Sequence, residues 1–263
     1  MHHNADEVVR ETGWVFNNQT GSTLTLDEFV ATGNAEVEVY LDRFGWSDLA
    51  AGSSVVEIGS GIGRMTAALT KRFASVVATD VDAAFLEKCR ETVARFGDVQ
   101  KLRTVHIEDG HSVAVPDRSV DMVFSYITLQ HCRASDALRL TEEAFRMVKP
   151  GGRVALNFRT WVPADVALVP SGAVMRLLWH MPVVGERLSR WRWSTRLGWQ
   201  ANRLDPKRVL ALIEASNIEL AEVAILHHPG RPQAEVIYRD QPTPQRDLDV
   251  CNKSHWWLLA HCR

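Results

Sequence analysis

The stretch Val55-Val56-Glu57-Ile58-Gly59-Ser60-Gly61-Ile62-Gly63 joins an apolar run, a terminal acid and three glycines at every second position. Glycines where a strand ends let a ligand approach the backbone, and the helix that follows points N–H groups at negative ligand atoms. Asp80 closes a second apolar run, "SVVATD", 21 residues beyond Gly59. A carboxylate at that place can accept from both hydroxyls of a ribose. The spacing is G-x-G-x-G, not the dinucleotide pattern G-x-G-x-x-G. Tight packing for the glycines and a solvated strand end for Asp80 therefore stay open.

His131, in "TLQHC", follows a fourth apolar run and so falls at the sheet edge where open α/β sheets bind ligands. An imidazole there can take a proton from an acceptor hydroxyl, and a packing role fits the position as well. Tyr126 and Gln130 flank the same turn as candidate site-lining groups; core packing and helix capping are their alternatives. His111 reads as an exposed loop residue, and His227-His228 before Pro229-Gly230 as a turn. Cys89, Cys132, Cys251 and Cys262 lack C-x-x-C spacing, which fits reduced thiols, and no set of residues has metal-ligand spacing, so no metal is expected.

These residues need strands and helices to place them. "SVVEI", "SVVAT", "LRTVHI", "VDMVFSYI" and "RVALNF" read as five strands, alternating with helices over Met65–Phe73, Asp82–Phe96 and a segment capped by Ser135 and stopped by Pro150-Gly151-Gly152. Thr25 with Glu28 forms a capping box that opens a leading helix to about Phe44. Asp205, Pro206 and Asn217 bound a later helix, and "IELAEVAIL" and "HWWLLAHC" supply two last strands. The alternation predicts a Rossmann-like, doubly wound, mostly parallel seven-stranded α/β sheet with helices on both faces.

Residues 160–203 interrupt this rhythm with five of the nine tryptophans and six arginines against two acids. We read them as a mainly helical lid between strand 5 and the following helix. Trp161 and Trp179 are its candidate substrate contacts, able to stack on a ring while arginines pair with carboxylate or phosphate. Trp179, Trp191 and Trp193 fit equally a lid packed on the sheet or a homodimer contact. Residues 1–50 form an arm and helix over the site, and 51–159 with 204–263 form the main domain.

Composition bounds the function. A length of 263 residues, 46% hydrophobic, suits one large domain or one with an insertion. A net charge of -2 argues against whole-surface attraction to nucleic acid or an anionic membrane, though a local basic patch stays open. The polar, acidic N-terminus has no apolar signal core, and no apolar run approaches the roughly 20 residues of a membrane span. A cytoplasmic protein without a membrane span is expected.

"VVEIGSGIGR", "VVATDVD", "HIEDG", "SVDMVFSYITLQHC" and "FRMVKPGGRVALNF", in that order, resemble the motifs of class I S-adenosylmethionine-dependent methyltransferases across about residues 52–160. The resemblance implies S-adenosyl-L-methionine as cofactor. It implies that Glu57 and the backbone of Gly59, Ser60, Gly61 and Gly63 surround the methionine part, Glu57 through its cationic amine. Asp80 would hold the ribose, with Val81 against the adenine. Asp109 would accept from the adenine amino group beside Gly110, and the Ser125 carbonyl would face the amine. The expected reaction is methyl transfer to a small-molecule acceptor, an oxygen of a sugar or secondary metabolite, with His131 as base. A cyclase or another non-transferring member of the same fold is the alternative. A nicotinamide enzyme is disfavoured by the glycine spacing, and nucleic-acid N-methylation by "SYIT" in place of an Asn- or Asp-Pro-Pro-aromatic motif.

Overall fold

A computed structural model of the chain describes residues 24–47, 51–189, 202–216, 218–227, 236–239 and 255–263, with Ala5, Ser194 and Leu197. The N-terminal arm apart from Ala5, Trp191, Trp193, Asn217, His228 and Cys251 lie outside the described residues.

Helix α1 (Leu26–Arg43) starts at Thr25, whose hydroxyl accepts from the Glu28 N–H while the Glu28 carboxylate accepts from the Thr25 N–H. Then follow β1 (Ser54–Ile58), α2 (Thr66–Arg72), β2 (Ser75–Asp80), α3 (Ala83–Phe96), β3 (Leu102–His106), β4 (Val120–Ser125), α4 (Ala134–Met147) and β5 (Val148–Arg159). Next come α5 (Asp165–Trp179), α6 (Pro182–Ser189), α7 (Pro206–Ala215), β6 (Leu220–His227), β7 (Val236–Arg239) and β8 (His255–Cys262). Asp205 caps α7, with Pro206 inside its first turn.

The sheet order is β3-β2-β1-β4-β5-β8-β6-β7. The first five strands pair in parallel, while β8 runs antiparallel between β5 and β6. The seven expected strands are present, and β7 adds an eighth at the edge, antiparallel to β6. Two local expectations change. Arg133, not Ser135, is the N-cap of α4, which gains no side-chain cap there. Pro150-Gly151-Gly152 does not stop α4, because Val148 already turns extended to pair with Val120 and the three residues lie inside β5. The register shift between Val120 and Met122 absorbs them.

Strand side chains alternate between faces, so the neighbours Trp256 and Trp257, both 0% exposed, centre two different cores. Trp256 stacks on Phe158 at 4.7 Å in the core shared with α4 and α7. Trp257 lies parallel to Tyr126 at 5.4 Å, among Tyr40 and Phe44 of the α1 side. Among the described residues no helix is long and apolar enough to cross a membrane.

Helix α1 is seated on the glycine loop by Gly33, where an added Cβ would stand 2.2 Å from the Arg64 carbonyl oxygen. In a free helix Gly→Ala stabilises by about 1 kcal/mol, whereas overpacking against a backbone atom that cannot yield costs about 1–3 kcal/mol. Gly33→Ala is therefore expected to lower the urea midpoint by an amount equivalent to about 1–2 kcal/mol without changing the slope. A midpoint at or above wild type would contradict this seating.

Candidate active site

The chain leaves β1 at Ile58 and turns through Gly59, Gly61 and Gly63, all with positive φ. Gly59 and Ser60 donate their N–H groups to the Thr79 carbonyl at 2.8 and 2.9 Å, which ties the turn to the end of β2. The glycines have three different duties. A Cβ on Gly59 would lie 2.0 Å from Thr128 Cγ2, and one on Gly63 3.1 Å from the Cys89 backbone. One on Gly61 would meet nothing within 4 Å, because Gly61 faces open space. That space is a cavity of about 460 Å³ at the carboxyl edge of the sheet.

Two carboxylates reach the cavity from strand ends. Asp80 Oδ2 accepts from the Gly61 N–H at 2.8 Å and Oδ1 from the Asp82 N–H at 3.0 Å. Burial raises the Asp80 carboxyl above its usual range, and these two N–H groups pull the other way. Glu57 is buried and accepts from Thr66 Oγ1 at 2.6 Å. Burial pushes its carboxyl up to about 7; the Thr66 bond and the Arg64 charge oppose the rise, and Asp80 adds to it.

The cation among these acids is Arg64, from the end of the glycine loop. Its guanidinium pairs with Glu36 at 2.5 Å and donates to Thr32 at 3.2 Å, both on α1. It also lies 5.8 Å from the Phe29 ring centroid and 5.7 Å from that of Tyr126, within cation–π range. Arg64, Phe29 and Tyr126 thereby form the wall under α1.

The opposite wall is the turn after β4. Ile127, a β-branched residue, has φ 54, a conformation of order 1–3 kcal/mol that persists only where the surroundings enforce it. Its N–H donates to Asn157 Oδ1 at 3.4 Å, while Thr128 Oγ1 donates to the Gly59 carbonyl at 3.1 Å. A short 3-10 turn, Leu129–His131, follows. Asn202 holds it: its Nδ2 donates to the carbonyls of Leu129 and Cys132, at 2.5 and 2.8 Å, and its N–H to that of Gln130 at 3.2 Å.

Glu57, Gly59, Ser60, Gly61, Asp80, Val81, Gly110, Tyr126 and His131 all line this one cavity. The other expected site residues do not. Gly63 serves the contact between the loop and α3. Asp109 Oδ1 accepts from the His111 and Ser112 N–H groups at 2.9 and 2.7 Å, so it shapes its own loop. Hydrogen bonds from Ser112, then His111, hold its carboxyl well below the usual range. Ser125 is buried, and its hydroxyl donates to the Ile58 carbonyl at 2.9 Å. Gln130 is buried behind His131, Nε2 to Nε2 at 3.3 Å. Trp161 is exposed on the insertion, and Trp179 Nε1 donates to Ser194 Oγ at 2.9 Å.

Sequence reasoning missed Arg64, Phe29, Thr128, Cys132 and Asp136, which also line the cavity. Arg64 directly follows the glycine triplet, and Cys132 and Asp136 follow His131, so adjacency was a usable signal for them. Phe29 gave none, because its role depends on α1 folding back over the loop. Burial raises the Cys132 thiol to about 11, which leaves it neutral at ordinary pH. No group of three or more His, Cys, Asp and Glu among the described residues is arranged to hold a metal.

Residues 56–156 match the model of the family described as "Methyltransferase domain". A phosphoethanolamine N-methyltransferase of Triticum aestivum is 34% identical over 109 residues, 41% of this chain and 21% of that protein. An S-adenosyl-L-methionine-dependent Diels-Alderase of Talaromyces variabilis is 31% identical over 113 residues, 43% of this chain and 38% of that protein. The chain thus spans well under half the length of these relatives. The crystal structure of magnesium protoporphyrin IX methyltransferase from Synechocystis, with bound S-adenosylhomocysteine, superposes with TM-score 0.55 at 13% identity, covering 98% of each chain. With the glycine turn and the Asp80 strand end, these matches make residues 56–156 a methyltransferase domain similar to those of class I S-adenosylmethionine-dependent enzymes.

The residues fit the cofactor that this family implies. The Asp80 carboxylate stands at the cavity with lone pairs left for hydroxyl donors, Glu57 offers a buried anion for an ammonium group, and Ile107, Phe85 and Leu140 supply apolar walls for a flat ring. A Cβ on Gly110 would also meet nothing within 4 Å, which leaves backbone open to that ring.

The Glu57 shift carries a stability consequence. The ordinary carboxyl titrates near 4.5 and the folded one near 7. Within that window the folded protein keeps a proton that the unfolded chain has lost, so stability falls as pH rises and levels off above it. The full shift corresponds to about 3 kcal/mol. Glu57→Gln keeps the shape without the titration, so its melting temperature should gain on wild type between about pH 5 and about pH 8. Parallel pH responses of the two proteins would refute the assignment.

Proposed function

We propose that the protein uses S-adenosyl-L-methionine to methylate a small-molecule acceptor, on an oxygen of a sugar or other secondary metabolite. The observation that carries this reading is the single cavity into which Asp80, Glu57 and the open face of Gly61 all project. When bound, the cofactor supplies a methyl group already activated for displacement. The chain's own task is to hold the partners in line and keep water out, for which well-oriented pairs gain roughly 7–11 kcal/mol. Asp80 accepts from hydroxyl donors, Glu57 faces an ammonium group, and the α1 wall of Phe29, Tyr126 and Arg64 closes the cavity on one side. His131, on the turn held by Asn202, takes the acceptor's proton at a ring nitrogen. Trp161 and Trp179 are not in the cavity wall, so the acceptor contacts in this reading are Tyr126, Thr128, His131 and Asp136.

The acceptor's smallness is supported by the cavity's volume of about 460 Å³, typical of small-molecule sites. In keeping with a net charge of -2, we assign no nucleic-acid partner, and we place the protein in the cytoplasm. The likeness to a Diels-Alderase that depends on S-adenosyl-L-methionine favours a second reading, in which the cofactor is held and the acceptor is cyclised without methyl transfer. Incorporation of radiolabelled methyl into product separates the two.

Calorimetry with S-adenosylmethionine should give micromolar binding that weakens at least tenfold in Asp80→Asn, the loss of about one charged hydrogen bond. Undiminished affinity in that variant would end the cofactor reading. Affinity for the ammonium-bearing ligand should rise with pH through about 7 and then level off, because binding favours the ionised Glu57. His131→Ala should lower kcat by about 10²–10⁴-fold with KM little changed; an unaltered kcat would leave His131 a packing residue.

A further inference from the structure

Gln130 and His131 face each other in the turn after β4, Nε2 to Nε2 at 3.3 Å. The backbone that carries them is fixed by Asn202, which donates to the carbonyls of Leu129, Gln130 and Cys132. Gln130 is 4% exposed, so its amide depends on partners inside the protein. Its Oε1 is buried and has no partner among the described residues. The two ends of a side-chain amide have one shape, one accepting and one donating, and their order is read from the groups they meet.

The two orders have opposite consequences for the ring. With the amide N–H toward His131, the ring's Nε2 must accept, and the neutral imidazole carries its proton on Nδ1. Its one in-plane lone pair is then tied to the amide, and nothing is left to receive the proton of an acceptor hydroxyl. Protonation would set N–H against N–H, and Oε1 would stay buried and unsatisfied, which is costly. With Oε1 toward His131, the ring's Nε2–H donates to it and the lone pair falls on Nδ1. The imidazolium formed by proton uptake keeps this bond, which is stronger for being charged. This order uses the buried oxygen and suits a base.

We infer that Gln130 is a positioning residue for His131. Its side-chain carbonyl holds a proton on Nε2 and leaves Nδ1 as the nitrogen that takes the acceptor's proton. The acceptor's O–H bond breaks, its electron pair stays on the oxygen, and the proton joins the Nδ1 lone pair to give an imidazolium. An amide does this without titrating and without adding a charge to a cavity already lined by Glu57, Asp80 and Asp136. The inference rests on the proposed role of His131 as base.

The test reads the ring directly and needs no methyl acceptor. In the full chain with isotope-labelled histidine, long-range nitrogen–proton NMR spectra of the neutral ring report which nitrogen carries the proton. Signals lost in His131→Ala identify the residue. Wild type should show the Nε2–H form. Gln130→Leu, of similar bulk but without hydrogen bonding, should shift the ratio of the two neutral forms toward Nδ1–H by about fivefold, the weight of one hydrogen bond. Gln130→Glu, whose carboxylate can only accept, should keep the Nε2–H form. A wild-type proton on Nδ1, an unshifted ratio in Gln130→Leu, or a Gln130→Glu ring that behaves like Gln130→Leu overturns the inference. The wild-type spectrum alone can overturn it, so the test survives a variant that fails to fold. The kcat of His131→Ala judges the base and the ring spectrum judges the tautomer, so the two readings fail separately.

Discussion

The hydrogen bond from the Gly61 N–H to Asp80 Oδ2 ties the loop after β1 to the end of β2, and the cavity exists because that loop is held open. A carboxylate buried to this degree is costly unless donors face it. The Gly61 and Asp82 N–H groups are such donors, and they come from the two chain segments that the carboxylate must hold apart. Any side chain on Gly61 would both fill the open space and strain a backbone of positive φ. One carboxylate thus holds both loops at the cavity's edge with its two oxygens.

Glu57 lies deeper, with one hydroxyl donor from Thr66 and no cation in direct contact among the described hydrogen bonds. Burial favours its neutral form relative to an exposed carboxyl, and the Thr66 hydroxyl and the Arg64 charge oppose that. Arg64 does not take that place, because α1 claims its guanidinium through Glu36 and Thr32. The N-terminal helix therefore closes the cavity and also keeps a competing cation away from the buried acid. Gly33 makes this approach possible, since only a bare Cα lets α1 come down on the Arg64 carbonyl.

The insertion is fixed at its roots. Asp165 between two arginines, together with Asn202 on the carbonyls of the Leu129–His131 turn, ties the two ends of residues 160–203 to the cavity's rim.

Periodicity and local chemistry in the sequence determined most of the framework: the alternating strands, the Thr25–Glu28 capping box, the Asp205-Pro206 start, and the placing of Glu57, Asp80 and His131 at one edge. These are contacts within a few residues or consequences of a parallel sheet's geometry, so they leave a mark in a linear pattern. The eighth strand and the passage of Pro150-Gly151-Gly152 into β5 depend on pairing with distant strands, and such register carries no local signature. The cavity wall formed by Phe29 and Arg64 and the retreat of Asp109 and Trp179 into contacts of their own were decided only by tertiary packing. A side chain's direction there depends on which surfaces meet across the fold, and residue type alone does not set that.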